Sequence, residues 1–117
     1  LLQTGTSWDG AAYQRYPDGQ PQLTTLKIVI PPHTTMDWHT HAVPNMAYVV
    51  SGEITVEKKD GGATQRFVKG QVIAETVDAL HRGVTGEQAV ELVVFYAGAA
   101  GLPLSETAVK LSQAIVK

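Results

Sequence analysis

Between Leu23 and Ile30 apolar and polar positions alternate, with Leu26, Ile28 and Ile30 on one face and Thr25, Lys27 and Val29 on the other. A period of two is the mark of a β-strand with a covered face. Pro31-Pro32 ends it, because proline removes a backbone donor. Thr34 to His41 reads as the next strand, followed by Ala47–Ser51, Ile54–Lys58, Thr64–Val68, Gln71–Ala74 and Leu80–Thr85. Gln88–Tyr96 closes the series, setting Val90, Leu92, Val94 and Tyr96 against Ala89, Glu91, Val93 and Phe95. Ser51-Gly52, Asp60-Gly61-Gly62, Gly70 and Gly86 punctuate the run, Asp-Gly being a strong hairpin signal. Many short strands without intervening helices predict an all-β sandwich or small barrel.

The two ends break this pattern. Residues 1–22 have no period and carry turn signals at Trp8-Asp9-Gly10 and Pro17-Asp18-Gly19. They are expected to form an arm on the barrel, anchored by Trp8, Tyr13 and Tyr16. At the other end Leu104, Ala108, Leu111 and Ile115 recur at helical spacing, with Ser105 placed as an N-cap after Pro103. The expected organisation is an arm over 1–22, a barrel over 23–98 and a helical tail over 99–117 of the same domain.

Composition narrows the function classes. The 117 residues suit one domain, and 44% hydrophobic with 17% charged residues is the profile of an ordered globular chain. A formal net charge of -2 and the lack of a basic run argue against nucleic acid, and no apolar run is long enough to span a bilayer as a helix. With no cysteine, neither a disulfide nor a thiolate site can form. Leu1 in place of a methionine gives a slight lean toward an exported, periplasmic chain over a cytoplasmic one.

The candidate chemistry lies in His39-Thr-His41. Residues i and i+2 of a strand point to one face, so the two imidazoles converge, whereas on a helix they would diverge. Converging neutral imidazoles begin a site for a borderline divalent metal. His81 lies far along the chain in Asp78-Ala79-Leu80-His81-Arg82-Gly83.

These features together resemble a small single-domain cupin of the conserved-barrel type. The family's first motif runs glycine, five residues, His-x-His, three or four residues, Glu, six residues, Gly. His39, His41 and Gly52 match it, Asn45 stands at the Glu position, and His33 stands where the first glycine would be. In the second motif, Gly-x5-Pro-x-Gly-x2-His-x3-Asn, Gly70 and His81 match, while Thr76, Asp78 and Thr85 replace Pro, Gly and Asn. The resemblance covers roughly residues 23–96. It implies a double-stranded β-helix, or jelly roll, with one divalent ion (Fe, Mn, Ni, Cu or Zn) held by His39, His41 and His81, and commonly a homodimer.

At position 45 an amide is neutral and a weaker ligand than a carboxylate, so a three-His centre keeps its full charge and open positions for an anionic or bidentate oxygen ligand. Asn45 is then a weak ligand or an outer donor, or simply a loop cap. Glu75 precedes His81; pointing inward it could bind metal or act as general base, but the favoured reading makes it a cap on a solvent-exposed turn. His33, beside two prolines, reads as a surface residue, Trp38 as packing outside the lumen, Met36 as core filler, and Arg82 as a partner for an acidic group. Phe95 and Tyr96 point to opposite faces, and parity alone does not say which one enters the cavity.

The function expected is a metal-binding small-molecule cupin, as a dioxygenase, isomerase or lyase acting on a small oxygen-rich or anionic substrate. The alternative is a barrel that binds or senses a small ligand without turnover.

Overall fold

The computed structural model describes residues 1–108 of the chain. Among the described residues nine strands form: β1 Pro21–Ile30, β2 His39–Thr40, β3 Asn45–Ser51, β4 Glu53–Lys58, β5 Thr64–Val68, β6 Val72–Ala74, β7 His81–Val84, β8 Val90–Ala99 and β9 Glu106–Thr107. They divide into two antiparallel sheets, in the orders β1-β8-β3-β6 and β5-β4-β7-β2-β9. β1 and β8, the two longest strands, pair from Pro21↔Ala99 to Ile30↔Val90. The fold is all-β, as the alternation predicts.

Inward-facing residues of both sheets meet in one core. Ala47, Val49, Ile73, Val90, Leu92, Val94 and Tyr96 come from the first sheet, and Ile54, Val56 and Phe67 from the second. Each fully buried aliphatic side chain contributes roughly 1.5–3 kcal/mol. The chain passes from one sheet to the other at Ser51-Gly52-Glu53. Gly52 has φ +76°, and a Cβ there would stand 2.0 Å from the carbonyl oxygen of Ala89, so the crossing accepts no side chain.

Two motif departures acquire a physical meaning here. Among the described residues, the non-glycine residues with positive φ are His33 (52°) and Asp78 (56°). These are the positions where the cupin motifs carry glycine. The backbone keeps the glycine conformation although the glycine is gone, which costs roughly 1–2 kcal/mol at a Cβ-bearing residue and less for Asp.

The predicted strand over 34–41 is mostly irregular. It reduces to β2 plus an isolated bridge from Thr35 to Val84. The segment before β1 touches the barrel through Trp8 and Tyr13. Trp8 sits edge-on to Phe67 at 6.5 Å, its backbone N–H donates to Ala74 O (2.9 Å), and the Tyr13 hydroxyl donates to Glu75 O (2.6 Å). Tyr16 is 76% exposed and anchors nothing. Lys58 ties the arm further through a 2.7 Å ion pair to Asp9.

The tail differs from expectation where it is described. Glu106–Thr107, expected in the first turn after the Ser105 cap, is extended and pairs with β2 as His39↔Thr107 and Thr40↔Glu106. Ladder bonds to an open strand edge outweigh helical spacing over so short a stretch. Residues 109–117, with Leu111 and Ile115, lie outside the described residues. Among the described residues no helix is long and apolar enough to cross a membrane.

Candidate metal centre

His39 on β2 and His81 on β7 are register partners, and His41 follows just beyond β2. The three rings converge, with centroids 4.3 Å (His39–His81), 4.8 Å (His41–His81) and 5.2 Å (His39–His41) apart. One nitrogen from each lies within 4.8 Å of the others. Same-face parity therefore holds, and the chain brings the distant third histidine to the pair.

Every ring is fixed from behind by a backbone carbonyl. His39 Nδ1–H donates to Asp37 O (2.9 Å), His41 Nδ1–H to Leu104 O (3.0 Å) and His81 Nδ1–H to Ala79 O (2.9 Å). Thr76 Oγ1 lies 3.1 Å from His81 Nδ1 as well. A carbonyl only accepts, so each Nδ1 carries the proton and each neutral ring keeps its Nε2 lone pair. This is the outer-shell arrangement that orients histidines on metals.

Glu75 corrects the expectation of a solvent-exposed cap. Its side chain is 12% exposed and enters the cavity, with Oε2 3.1 Å from His41 Nε2 and 3.3 Å from His81 Nε2. The backbone supplies the reason: β6 ends at Ala74, where the Trp8 and Tyr13 contacts hold carbonyls 74 and 75 to the arm and turn the carboxylate inward. Asn45 is 3% exposed on the same wall; its Nδ2 donates to Val43 O (3.0 Å), and its Oδ1 has no hydrogen-bond partner. Its nitrogen is thus engaged within its own loop, while its oxygen is left toward the cavity.

Tyr96, not Phe95, lines the cavity, with its ring 6.0 Å from His41, while Phe95 is exposed on the outer face. Met36 also reaches the lining. His33 is exposed and lies apart from the site. Arg82 points outward, donating to Glu57 (2.7 Å) and covering Trp38 at 4.1 Å, in the structural role expected of both.

The electrostatics follow from burial and charge. Burial alone would raise the Glu75 carboxyl, but contact with His41 and His81 overrides it and brings the group down to about 2. Burial lowers His39, aided by the neighbouring histidines and opposed by the Asp37 carbonyl. Burial would also lower His81, yet the Glu75 carboxylate raises it. Tyr96 is raised by burial and by Glu75, so its phenol stays protonated.

The residues fit a metal ion. His81 Nε2 is buried without a hydrogen-bond partner, and a carboxylate oxygen 3.1 Å from His41 Nε2 faces a second lone pair once Nδ1 holds the ring proton. Two facing acceptors need a proton or a cation between them. Three imidazoles and a carboxylate form a donor set of the kind that holds zinc, iron, copper or nickel. The cavity is small, about 60 Å³, with room for an ion, water and a few-atom group. A larger cleft of about 400 Å³ lies between the arm and the outer face of the first sheet, near Tyr13, Tyr16, Met46 and Phe95, but no metal-binding group among the described residues lines it.

Sequence reasoning did not reach the carbonyls of Asp37, Ala79 and Leu104, the Thr76 hydroxyl or the Tyr13 hydroxyl. Only Thr76, at the motif's proline position, could have been flagged.

No family model matches the sequence, and none of the curated proteins does. Solved structures do resemble it. The DMSP lyase DddQ from Ruegeria pomeroyi superposes with a TM-score of 0.66 at 15% identity, over 75% of this chain and 44% of that one. The polyketide cyclase RemF from Streptomyces resistomycificus gives 0.63 at 20% identity, over 77% and 62%. An RmlC-like cupin with a double-stranded β-helix fold from Methanocaldococcus jannaschii gives 0.60 at 15% identity, over 71% and 76%. The chain thus spans less than two thirds of the first two of these proteins. These likenesses converge on one architecture: the chain has the double-stranded β-helix fold of the cupins.

Proposed function

We propose that the cavity holds one divalent metal ion on His39, His41 and His81 and serves acid–base chemistry on a small anionic or oxygen-rich molecule, as a lyase or isomerase. The observation that carries this reading is the set of three histidines whose donor nitrogens lie within 4.8 Å of one another, each ring fixed by a carbonyl behind it. When bound, such an ion supplies a Lewis acid for a carbonyl, carboxylate or enolate oxygen. Glu75, whose carboxylate enters the cavity beside His41 and His81, is the group placed to accept a proton from the bound molecule. The Tyr96 phenol is a donor, and the unpartnered Asn45 oxygen orients a donor group of the ligand. Val94, Ile54 and Met36 line the remaining wall and keep water out. The lyase and cyclase names of the structural neighbours agree with this class of chemistry, in preference to a dioxygenase.

The narrowness of the cavity, about 60 Å³, favours a second reading, a barrel that binds a small ligand without turning it over. The homodimer implied by the cupin resemblance is carried into the proposal as well. Leu23 and Val29 on edge strand β1 and Phe95 on β8 are exposed and could meet a second copy; light scattering checks it.

The deciding experiment is elemental analysis of wild type beside His41→Ala and His81→Ala, followed by a panel of small carboxylates. About one equivalent of metal in the wild type, lost in both folded variants, is expected. A wild type that takes up no metal even after reconstitution would sink the metal reading. Metal with ligand-induced stabilisation but no turnover would favour the binding barrel.

A further inference from the structure

We propose that Glu75 is itself a ligand of the metal, the site's carboxylate having moved one strand over from position 45, where the cupin motif carries it. The inference rests on the metal reading above and adds a fourth donor to its three histidines.

The geometry supplies the first support. Two donor atoms on one metal at bond lengths of about 2.1 Å stand about 3.0 Å apart at a right angle and about 3.4 Å apart at the tetrahedral angle. Glu75 Oε2 lies 3.1 Å from His41 Nε2 and 3.3 Å from His81 Nε2, inside that range for both. A proton-bridged pair would account for one such distance. Two acceptor nitrogens sharing one carboxylate oxygen are the arrangement of ligands around a common ion.

Position 45 supplies the second. Asn45 and Glu75 are bonded neighbours across adjoining strands, the Glu75 N–H donating to Asn45 O at 3.0 Å. Their side chains line the same small cavity. The Asn45 amide cannot be turned to present its nitrogen, since Nδ2 is engaged by Val43 O. What it offers the cavity is a neutral oxygen, a poor substitute for a carboxylate on a divalent ion. With Glu75 as ligand, the charge of the ion and its donors falls from +2 to +1, as a carboxylate at position 45 would have made it. Binding through Oε2 leaves Oε1 for the proton that the proposed chemistry moves.

The arm fixes the arrangement. The Tyr13 hydroxyl on Glu75 O and the backbone N–H of Trp8 on Ala74 O hold the backbone that turns this carboxylate inward.

The test uses metal-free full-length protein titrated with Zn²⁺ and with Co²⁺ alone, by calorimetry and by the Co²⁺ absorption spectrum. The chains are wild type, Glu75→Gln, and Glu75→Gln combined with Asn45→Glu. Glu75→Gln is isosteric and should fold; it is expected to weaken binding by more than the roughly 10–100-fold that outer-shell partners cost, and to change the Co²⁺ spectrum. Asn45→Glu in that background is expected to restore both. Should Glu75→Gln fail to fold, Glu75→Asp keeps a carboxylate on a shorter stem, and a shifted Co²⁺ spectrum is the expected reading. Wild-type affinity and spectrum in the Gln variant, or in the Asp variant used in its place, would overturn the fourth ligand while leaving the three-histidine site standing. A wild type that binds neither ion would overturn both.

Discussion

The two ends of the barrel are built on the same alternation and hold opposite chemistry. At one end the inward positions of β3 and β8 are Val49 and Val90, both buried and aliphatic. At the other end the same strands contribute Asn45 and Tyr96, directly paired in register, with Glu75 just past β6. Burial is as deep at both ends, but at the second end it desolvates groups that must then be paired. The apolar end gains free energy from every side chain it excludes from water, whereas the polar end spends some of it to hold ionisable groups in one place. Stability and chemistry are thus separated along the length of a single strand.

The largest effect expected is at the apolar end. Gly52→Ala places a methyl 2.0 Å from the Ala89 carbonyl at φ +76° and should cost roughly 3 kcal/mol or more, read as a lowered denaturation midpoint. A variant as stable as wild type would mean that the crossing between sheets is soft and the contrast overstated.

A smaller effect belongs to the arm that closes the polar end. Burial would raise the Asp9 carboxyl, but hydrogen bonds from Lys58 and Ser7 outweigh it and hold the group below its usual 3.8. A depressed carboxyl stabilises the fold fully above its unfolded value and stops doing so as pH falls through its folded one. Below about pH 4 the arm should therefore lose this support and loosen before the barrel unfolds. In a Trp38→Phe background Trp8 is the sole indole, and its emission should shift in acid ahead of the far-ultraviolet signal. Coincident transitions would show that arm and barrel are one unit.

The smallest effect, and of opposite sign, is expected of Asp78→Gly. It relieves a left-handed residue whose N–H donates to His41 O at 2.8 Å, and should add up to about 1 kcal/mol in thermal or chemical denaturation. A loss instead would show that the Asp78 side chain contributes something that its backbone strain conceals.

How much of this was readable beforehand differs between the two ends. The apolar face of β8 was legible because Val90, Leu92 and Val94 alternate without interruption, and a two-residue period needs no tertiary knowledge. The His39–His41 pair was legible for the same reason. Glu75 was not: Ile73 and Ala74 are both buried in succession, so the alternation fails where its direction mattered. Glu106–Thr107 misled through a helical spacing that a free strand edge overrode, and that edge exists only once β2 has folded. Glycine positions in a motif stand for a backbone angle, and His33 and Asp78 kept the angle while changing the residue.

The pairing of β1 with β8 bears on how the molecule comes into being. From Pro21↔Ala99 to Ile30↔Val90, the first long strand is matched to the last, with almost the whole barrel between them in sequence. During synthesis β1 emerges early and finds no partner until residues 90–99 have been made. It must wait as a ten-residue strand with one apolar face and both edges open, while β4 and β5 can already close their hairpin. Late, non-local closure slows folding and exposes sticky edges to neighbouring chains. The nascent chain is therefore at greatest risk of aggregation just before its last long strand arrives.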